Sequence, residues 1–140
     1  MDVLLRHAAL KQKIRTGSPT FGMFIKIPAP SVVELMGTTS LDFVALDAEH
    51  APFGIEALDG CILAGRAAGV PVLVRVPDAS SPLILSVLDM GAAGIIVPHI
   101  RSTKEAGMAA SAARYGGGTR GFSASHRAAG YGTIPAQTFK

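Results

Sequence analysis

Three side chains that move protons or bind charge fall within four positions. They are Asp47, Glu49 and His50 in the stretch FVALDAEHAPFG, and a guanidinium, Arg75, ends the next apolar run, VPVLVRV. A carboxylate placed shortly before an imidazole, across a bend, can accept a hydrogen bond from one ring nitrogen. That bond would fix the tautomer and leave the other nitrogen as a general base. Arg75 can hold a carboxylate or a developing oxyanion. Base and cation together suit proton abstraction beside a carbonyl. They equally suit a retro-aldol step, in which an alkoxide proton leaves and an enolate forms. Two other readings stand beside this one. Asp47 and Arg75 can be a structural ion pair, with His50 an ordinary loop residue. Asp47, Glu49 and His50 could instead bind a metal directly, although no H-x-x-x-H or similar ligand pair supports that.

The remaining candidates are weaker. Cys61 is the single cysteine and falls inside an apparent helix, where a core role fits better than a Cys-His dyad. The run GGGTRG (116–121) has the composition of an anion cradle, but no strand leads into it and no helix begins with it, so a mobile loop fits better. His99, after Pro98, can be a site residue or a packed loop histidine. His7 and His126 have no constellation around them.

The elements that must position these groups alternate. A helix is expected over 4–15, then strands at FGMFIKI (21–27), DFVALD (42–47), VPVLVRV (70–76) and AGIIVPH (93–99). Between them fall helices: one with a capping box of Ser31 and Glu34 that ends at Gly37, one over 54–69, and one led by Ser81 as N-cap and Pro82. A further capping box, Ser102 and Glu105, opens an Ala-rich helix to about Arg114. The order is βαβαβαβα, and the strands are apolar nearly throughout, as in a parallel sheet with both faces covered. Lys26, Asp47, Arg75 and His99 lie at or near the C-terminal ends of the four strands, the edge where parallel α/β folds carry their chemistry. After Arg114 the chain is rich in Gly, Ser and Arg, with no strand, and reads as a long functional loop or a linker.

At 140 residues, 49% hydrophobic and 16% charged, the chain can build one globular core and is not disordered. No apolar run is long enough to span a membrane, and MDVLLRHAALKQKIR does not read as a signal peptide. The lone cysteine excludes an intramolecular disulfide framework and suits a reducing cytoplasm. Residues 1–100 carry seven Lys/Arg against nine Asp/Glu, whereas 101–140 carry six against one. The basic tail can be a nucleic-acid surface or a local imbalance. Cations spaced singly among Gly and Ala, with little aromatic interleaving and no nucleic-acid motif, favour the imbalance.

Taken together, LKQKIRTG, FIKIPAPSVVELMG, LDFVALDAEHAPFG, PVLVRVP, LDMGAAGIIVPHIRS and the RGF…RAAGYG loop resemble the HpcH/HpaI aldolase family of pyruvate-dependent class II aldolases. The resemblance spans nearly the whole chain. It implies a (β/α)8 barrel that cleaves 4-hydroxy-2-oxo acids to pyruvate and an aldehyde without a Schiff base. It also implies a divalent cation (Mg, Mn or Co) that would bind the 2-oxo acid and stabilise the enolate. His50 would be the base, Asp47 its orienting partner, and Arg75 the residue that binds substrate and steadies the enolate oxygen; Glu49 would stand near the metal's water. The implied partners are a small 2-oxo acid and further copies of the chain, with no nucleic acid and no membrane, and the implied location is the cytoplasm. The family holds its metal through a Glu after the fifth strand and an Asp after the sixth, and neither segment has a counterpart in 1–140, so no metal ligand is assigned. Residues 1–140 then read as the N-terminal half of an aldolase barrel, truncated after about four βα units, with 115–140 a Gly-rich loop and the start of the next helix. The alternative is a non-catalytic half-barrel that only binds ligand or associates with partner chains.

Overall fold

Apolar runs bounded by turn residues form short parallel strands, each followed by a helix. The computed structural model describes residues 3–79 and 82–139. Helix α1 (Val3–Arg15) precedes β1 (Gly22–Ile25), α2 (Pro30–Gly37), β2 (Phe43–Asp47), α3 (Ile55–Ala68), β3 (Val72–Arg75), α4 (Pro82–Met90), β4 (Gly94–Ile96) and α5 (Thr103–Ala112). The strands lie in one sheet in the order β1-β2-β3-β4, every neighbouring pair parallel. This is the βα architecture of a TIM barrel over four units.

Register decides which face each side chain takes. Ile25, Leu46, Val74 and Ile95 form one row across the sheet. The face they share is sealed by Val33 of α2, Leu58, Cys61 and Ile62 of α3, and Ile84 and Val87 of α4. The other face carries Phe24, Ala45, Leu73 and Gly94, then Asp47, Arg75 and Ile96. No helix covers it among the described residues, and Phe24 is 49% exposed. The strands are thus apolar on both faces, although helices bury only one. Strands β1 and β4 are the two edges of the sheet.

The helices start and stop for identifiable reasons. Gly69 closes α3 in the left-handed conformation at φ 74, which glycine adopts without a Cβ penalty. Ser102 caps α5 by accepting the Glu105 N–H, while Glu105 reaches back to the Arg101 N–H. The expected Ser31–Glu34 box is not formed. The helix starts earlier than that box requires: Pro30, preorganised for the first turn, is already helical, so Ser31 lies inside the helix, and the N-cap is Ala29, whose side chain cannot accept a hydrogen bond. The expected N-cap Ser81 lies outside the described residues; α4 begins at Pro82.

The strands are shorter than the apolar runs, since pairing stops where a neighbour stops. In FGMFIKI, for instance, only Gly22–Ile25 pairs. The Gly-rich segment after α5 contains a 3-10 turn at Arg127–Gly132 and a short helix α6 (Ala136–Phe139). It is pinned to the helical layer rather than hanging free. Arg120 donates to Asp89 at the end of α4, and Arg127 donates to both oxygens of Asp59 on α3 and to the Met90 carbonyl. Two of the tail's cations are thereby neutralised. His126 also has a constellation that spacing did not show. Its Nδ1 accepts the Ala129 N–H, capping the 3-10 turn, and its Nε2 lies 3.3 Å from the Tyr115 hydroxyl and 3.4 Å from Asp89. No helix of the described residues is long and apolar enough to cross a membrane.

Candidate active site

β2 and β3 run side by side and end together, with Asp47 paired to Arg75 in register. Alternation turns both onto the open face, so the carboxylate and guanidinium meet at the C-terminal edge of the sheet. Arg75 Nε donates to Asp47 Oδ1 at 3.0 Å and Nη2 donates to Oδ2 at 2.7 Å, a bidentate pair. Asp47 is fully buried and is the one buried charged residue among those described. Lys26, after β1, approaches its Oδ2 at 3.5 Å. The Phe24 ring lies 4.9 Å from the guanidinium carbon and supports its face. Hydrogen bonds from Arg75 hold the Asp47 carboxyl well below the usual carboxylate range, against burial, which pushes it up. The same bonds raise the affinity of Arg75 for its proton.

The expected contact between Asp47 and the His50 imidazole is absent. Asp47 Oδ1 accepts the backbone N–H groups of His50 at 3.0 Å and Glu49 at 3.3 Å. A carboxylate at a strand end, followed by a bend, meets the amides two and three residues on before it can reach a side chain. Asp47 thus fixes the loop that carries His50 and leaves the ring orientation to another group. That group is Glu49: its Oε1 lies 3.5 Å from His50 Nε2, an ion-pair distance rather than a hydrogen bond. The His50 side chain is 59% exposed, so its ring is open to an incoming molecule.

Glu49 is the hub. Its side chain is only 10% exposed, and its Oε2 lies 3.3 Å from Arg75 Nε. Its Oε1 also meets His99 Nε2 at 3.0 Å, from the end of β4. The structure therefore brings together the four residues given chemical roles from the sequence, Asp47, Glu49, His50 and Arg75. Lys26 and His99 join them: the sequence sets both at the C-terminal edge of a strand and leaves His99 open as a site residue, but does not show the partners they meet. Arg75 Nη1 has no partner among the described residues, so its two N–H groups are available to an anion. Cys61 is buried in the core, where desolvation pushes its thiol up, and it takes no part here.

Among the described residues no group of three or more His, Cys, Asp and Glu could hold a metal ion. Asp47 has both oxygens filled by Arg75 and backbone amides, and Glu49 is shared between Arg75 and two imidazoles. These residues do not fit a metal site.

The HpcH/HpaI aldolase/citrate lyase family model matches residues 20–131. A 5-keto-4-deoxy-D-glucarate aldolase from Salmonella paratyphi A is 33% identical over 115 residues, which cover 81% of this chain and 45% of that protein. The chain thus spans about half the length of the curated relatives it matches. Among solved structures, an aldolase/citrate lyase family protein from Burkholderia cenocepacia superposes with a TM-score of 0.83 at 29% identity, covering 89% of this chain and 52% of that one. The citrate synthase SbnG superposes with a TM-score of 0.74 at 36% identity, covering 81% and 46%.

Proposed function

We propose that this chain, which belongs to the HpcH/HpaI aldolase/citrate lyase family, carries the proton-transfer and anion-binding groups of a cytoplasmic carbon–carbon lyase. Its substrates are 4-hydroxy-2-oxo acids, cleaved to pyruvate and an aldehyde. The observation that carries this reading is the pairing of an exposed imidazole, His50, with a guanidinium, Arg75, whose Nε and Nη2 are spent on Asp47 while Nη1 stays open.

In the cleavage direction His50 accepts the proton of the 4-hydroxyl. The bond between C3 and C4 breaks, C4 becomes the aldehyde carbonyl, and the electron pair passes to C3 as an enolate. Nη1 of Arg75 donates to the enolate oxygen or the adjacent carboxylate, where negative charge collects. His50 then returns its proton to C3, giving pyruvate, so the proton count closes. Asp47 keeps Arg75 charged and the loop fixed, and Glu49 steadies the imidazole. The divalent cation that the resemblance implies has no fitting ligand set in these residues, and no step is assigned to it.

A second reading rests on the same carboxylates. Because Asp47 and Glu49 are saturated by protein partners, the chain could bind a 2-oxo acid through Arg75 without turning it over. Coupled detection of pyruvate from a panel of 4-hydroxy-2-oxo acids, with Mg²⁺, Mn²⁺ or Co²⁺ added, decides between them. Pyruvate release that falls roughly 10²–10⁴-fold in His50→Ala supports catalysis by this base. Binding of the acids without release, or release unchanged in His50→Ala, refutes it.

A further inference from the structure

Resting on the lyase reading, we propose that Lys26 is a substrate-binding residue, an ammonium that takes the carboxylate of the 2-oxo acid while Arg75 takes the neighbouring enolate oxygen. The placement comes from the sheet. Ile25 pairs with Leu46 and Asp47 with Arg75, so the position after Ile25 falls in the row of Asp47 and Arg75. Lys26, like Phe24 two positions before it, turns to the open face, and its Nζ lies 3.5 Å from Asp47 Oδ2. The row thus reads cation, anion, cation across the ends of β1, β2 and β3.

Asp47 positions this ammonium without using it up. Its two oxygens already accept N–H groups from Arg75 Nε and Nη2 and from the amides of Glu49 and His50. Lys26 comes to the same Oδ2 that Arg75 Nη2 bonds at 2.7 Å, yet it stops at ion-pair distance. Its ammonium makes no hydrogen bond among the described residues, and the side chain is 60% exposed. Glu49, the other carboxylate of the site, faces Arg75 Nε and the imidazoles of His50 and His99 instead. Two cations therefore share the one carboxylate of Asp47, and the N–H groups of the ammonium are open to an anion.

Two cations that meet one oxygen stand within the span of a small ligand. A 2-oxo acid offers acceptors on adjacent carbons, a carboxylate and a carbonyl oxygen. The carboxylate is charged throughout the reaction, whereas the carbonyl oxygen gains charge only as the enolate forms. The rigid donor suits the carbonyl oxygen. Arg75 is held by its bidentate pair and by the Phe24 ring, so the direction of Nη1 is set before the reaction starts. The ammonium, a point charge on a flexible stem, suits the carboxylate. An interaction equally strong in the ground and transition states lowers KM and does not raise kcat. Lys26 thus serves affinity and the choice of an acid over its neutral analogue.

The test uses the whole chain and its Lys26→Met, Lys26→Gln and Lys26→Arg variants, with pyruvate and pyruvamide as probes. Pyruvamide keeps the 2-oxo group and replaces the carboxylate with a neutral amide. NMR titration without added metal reads both affinities and needs no turnover. Wild type should bind pyruvate in preference to pyruvamide. Lys26→Met and Lys26→Gln should cut that preference about tenfold, the loss of one charge-assisted hydrogen bond that solvent reaches, and Lys26→Arg should restore most of it. In exchange of the pyruvate methyl protons, the two neutral variants should raise the half-saturating pyruvate more than they lower the maximal rate. A preference unchanged in both neutral variants overturns the proposal, as does a wild type that shows no preference. An equal loss of affinity for both probes also overturns it, because Lys26 would then be only a structural partner of Asp47. If the wild-type chain binds pyruvate but exchanges no protons even with Mn²⁺ added, the lyase reading fails, and the preference for the acid still decides the role of Lys26.

Discussion

Replacing Asp47 with Asn removes one charge and reverses one hydrogen-bonding direction at the most buried polar position of the fold. Asp47 Oδ1 receives three donors, from Arg75 Nε and the amides of Glu49 and His50, and Oδ2 receives Arg75 Nη2. An Asn that keeps its carbonyl on the first three donors turns its NH₂ toward Nη2, donor against donor. The flipped rotamer disappoints three donors instead. One charge-assisted bond lost, with a buried donor left unsatisfied, amounts to about 2–3 kcal/mol. Solvent reaches Arg75, which keeps the loss below the ~3–5 kcal/mol of a wholly buried pair broken on one side. At this chain length that corresponds to roughly 6–12 °C in Tm. Urea titration and calorimetry of both proteins measure it.

The pH dependence gives a second check. The folded-state pKa of Asp47 is depressed by Arg75, whereas in the unfolded chain it sits near the usual ~3.9. Stability from a depressed carboxyl is fully present above the unfolded value and is lost as pH falls through the folded one. The gap between wild type and Asp47→Asn should therefore stay constant from neutral pH down to about 4 and narrow only below that. A gap under about 0.5 kcal/mol, or one that shrinks already between about pH 7 and 5, would refute the bidentate pair as the anchor of the site.

Three further outcomes follow from the packing. Gly65→Ala should destabilise by roughly 1–3 kcal/mol despite the better helix former, because the new Cβ runs into Val72 Cγ2 and the Val70 carbonyl; unchanged urea unfolding contradicts the α3–β3 approach. Cys61, buried and with its thiol pushed up by desolvation, should react with a thiol reagent only on unfolding, so fast labelling of the native chain contradicts its place in the core. Open edges at β1 and β4 and the half-exposed Phe24 face should make the chain self-associate; sedimentation showing a monomer at all concentrations contradicts this.

The alternation of strands and helices was legible in the sequence because Gly37, Gly69 and Gly91 punctuate it and the apolar runs are short. Strand ends were less legible, since pairing depends on the neighbour: Val70 and Pro71 read as strand, yet pairing with β2 starts at Val72. The site showed the same split. Spacing placed Asp47, Glu49 and His50 at one strand mouth, but which donor Asp47 accepts depends on the bend of the loop, and the backbone amides won. That Arg75 faces Asp47 is a matter of register, invisible across a separation of 28 positions. The His99–Glu49 contact links residues 50 apart across three strands, and only the sheet order reveals it.

The central claim is that His50 moves a proton beside a carbonyl whose developing charge Arg75 holds. Exchange of the pyruvate methyl protons with D₂O, followed by proton NMR with and without added Mn²⁺, measures that step with no aldehyde present. Wild type should exchange well above the buffer rate. His50→Ala should lose roughly 10²–10⁴-fold, and Arg75→Lys should lose most of the exchange while the fold survives, because an ammonium does not replace a guanidinium fork. Exchange that continues undiminished in His50→Ala would contradict the assignment of the base. Exchange unchanged in Arg75→Lys would return Arg75 to a purely structural partner of Asp47.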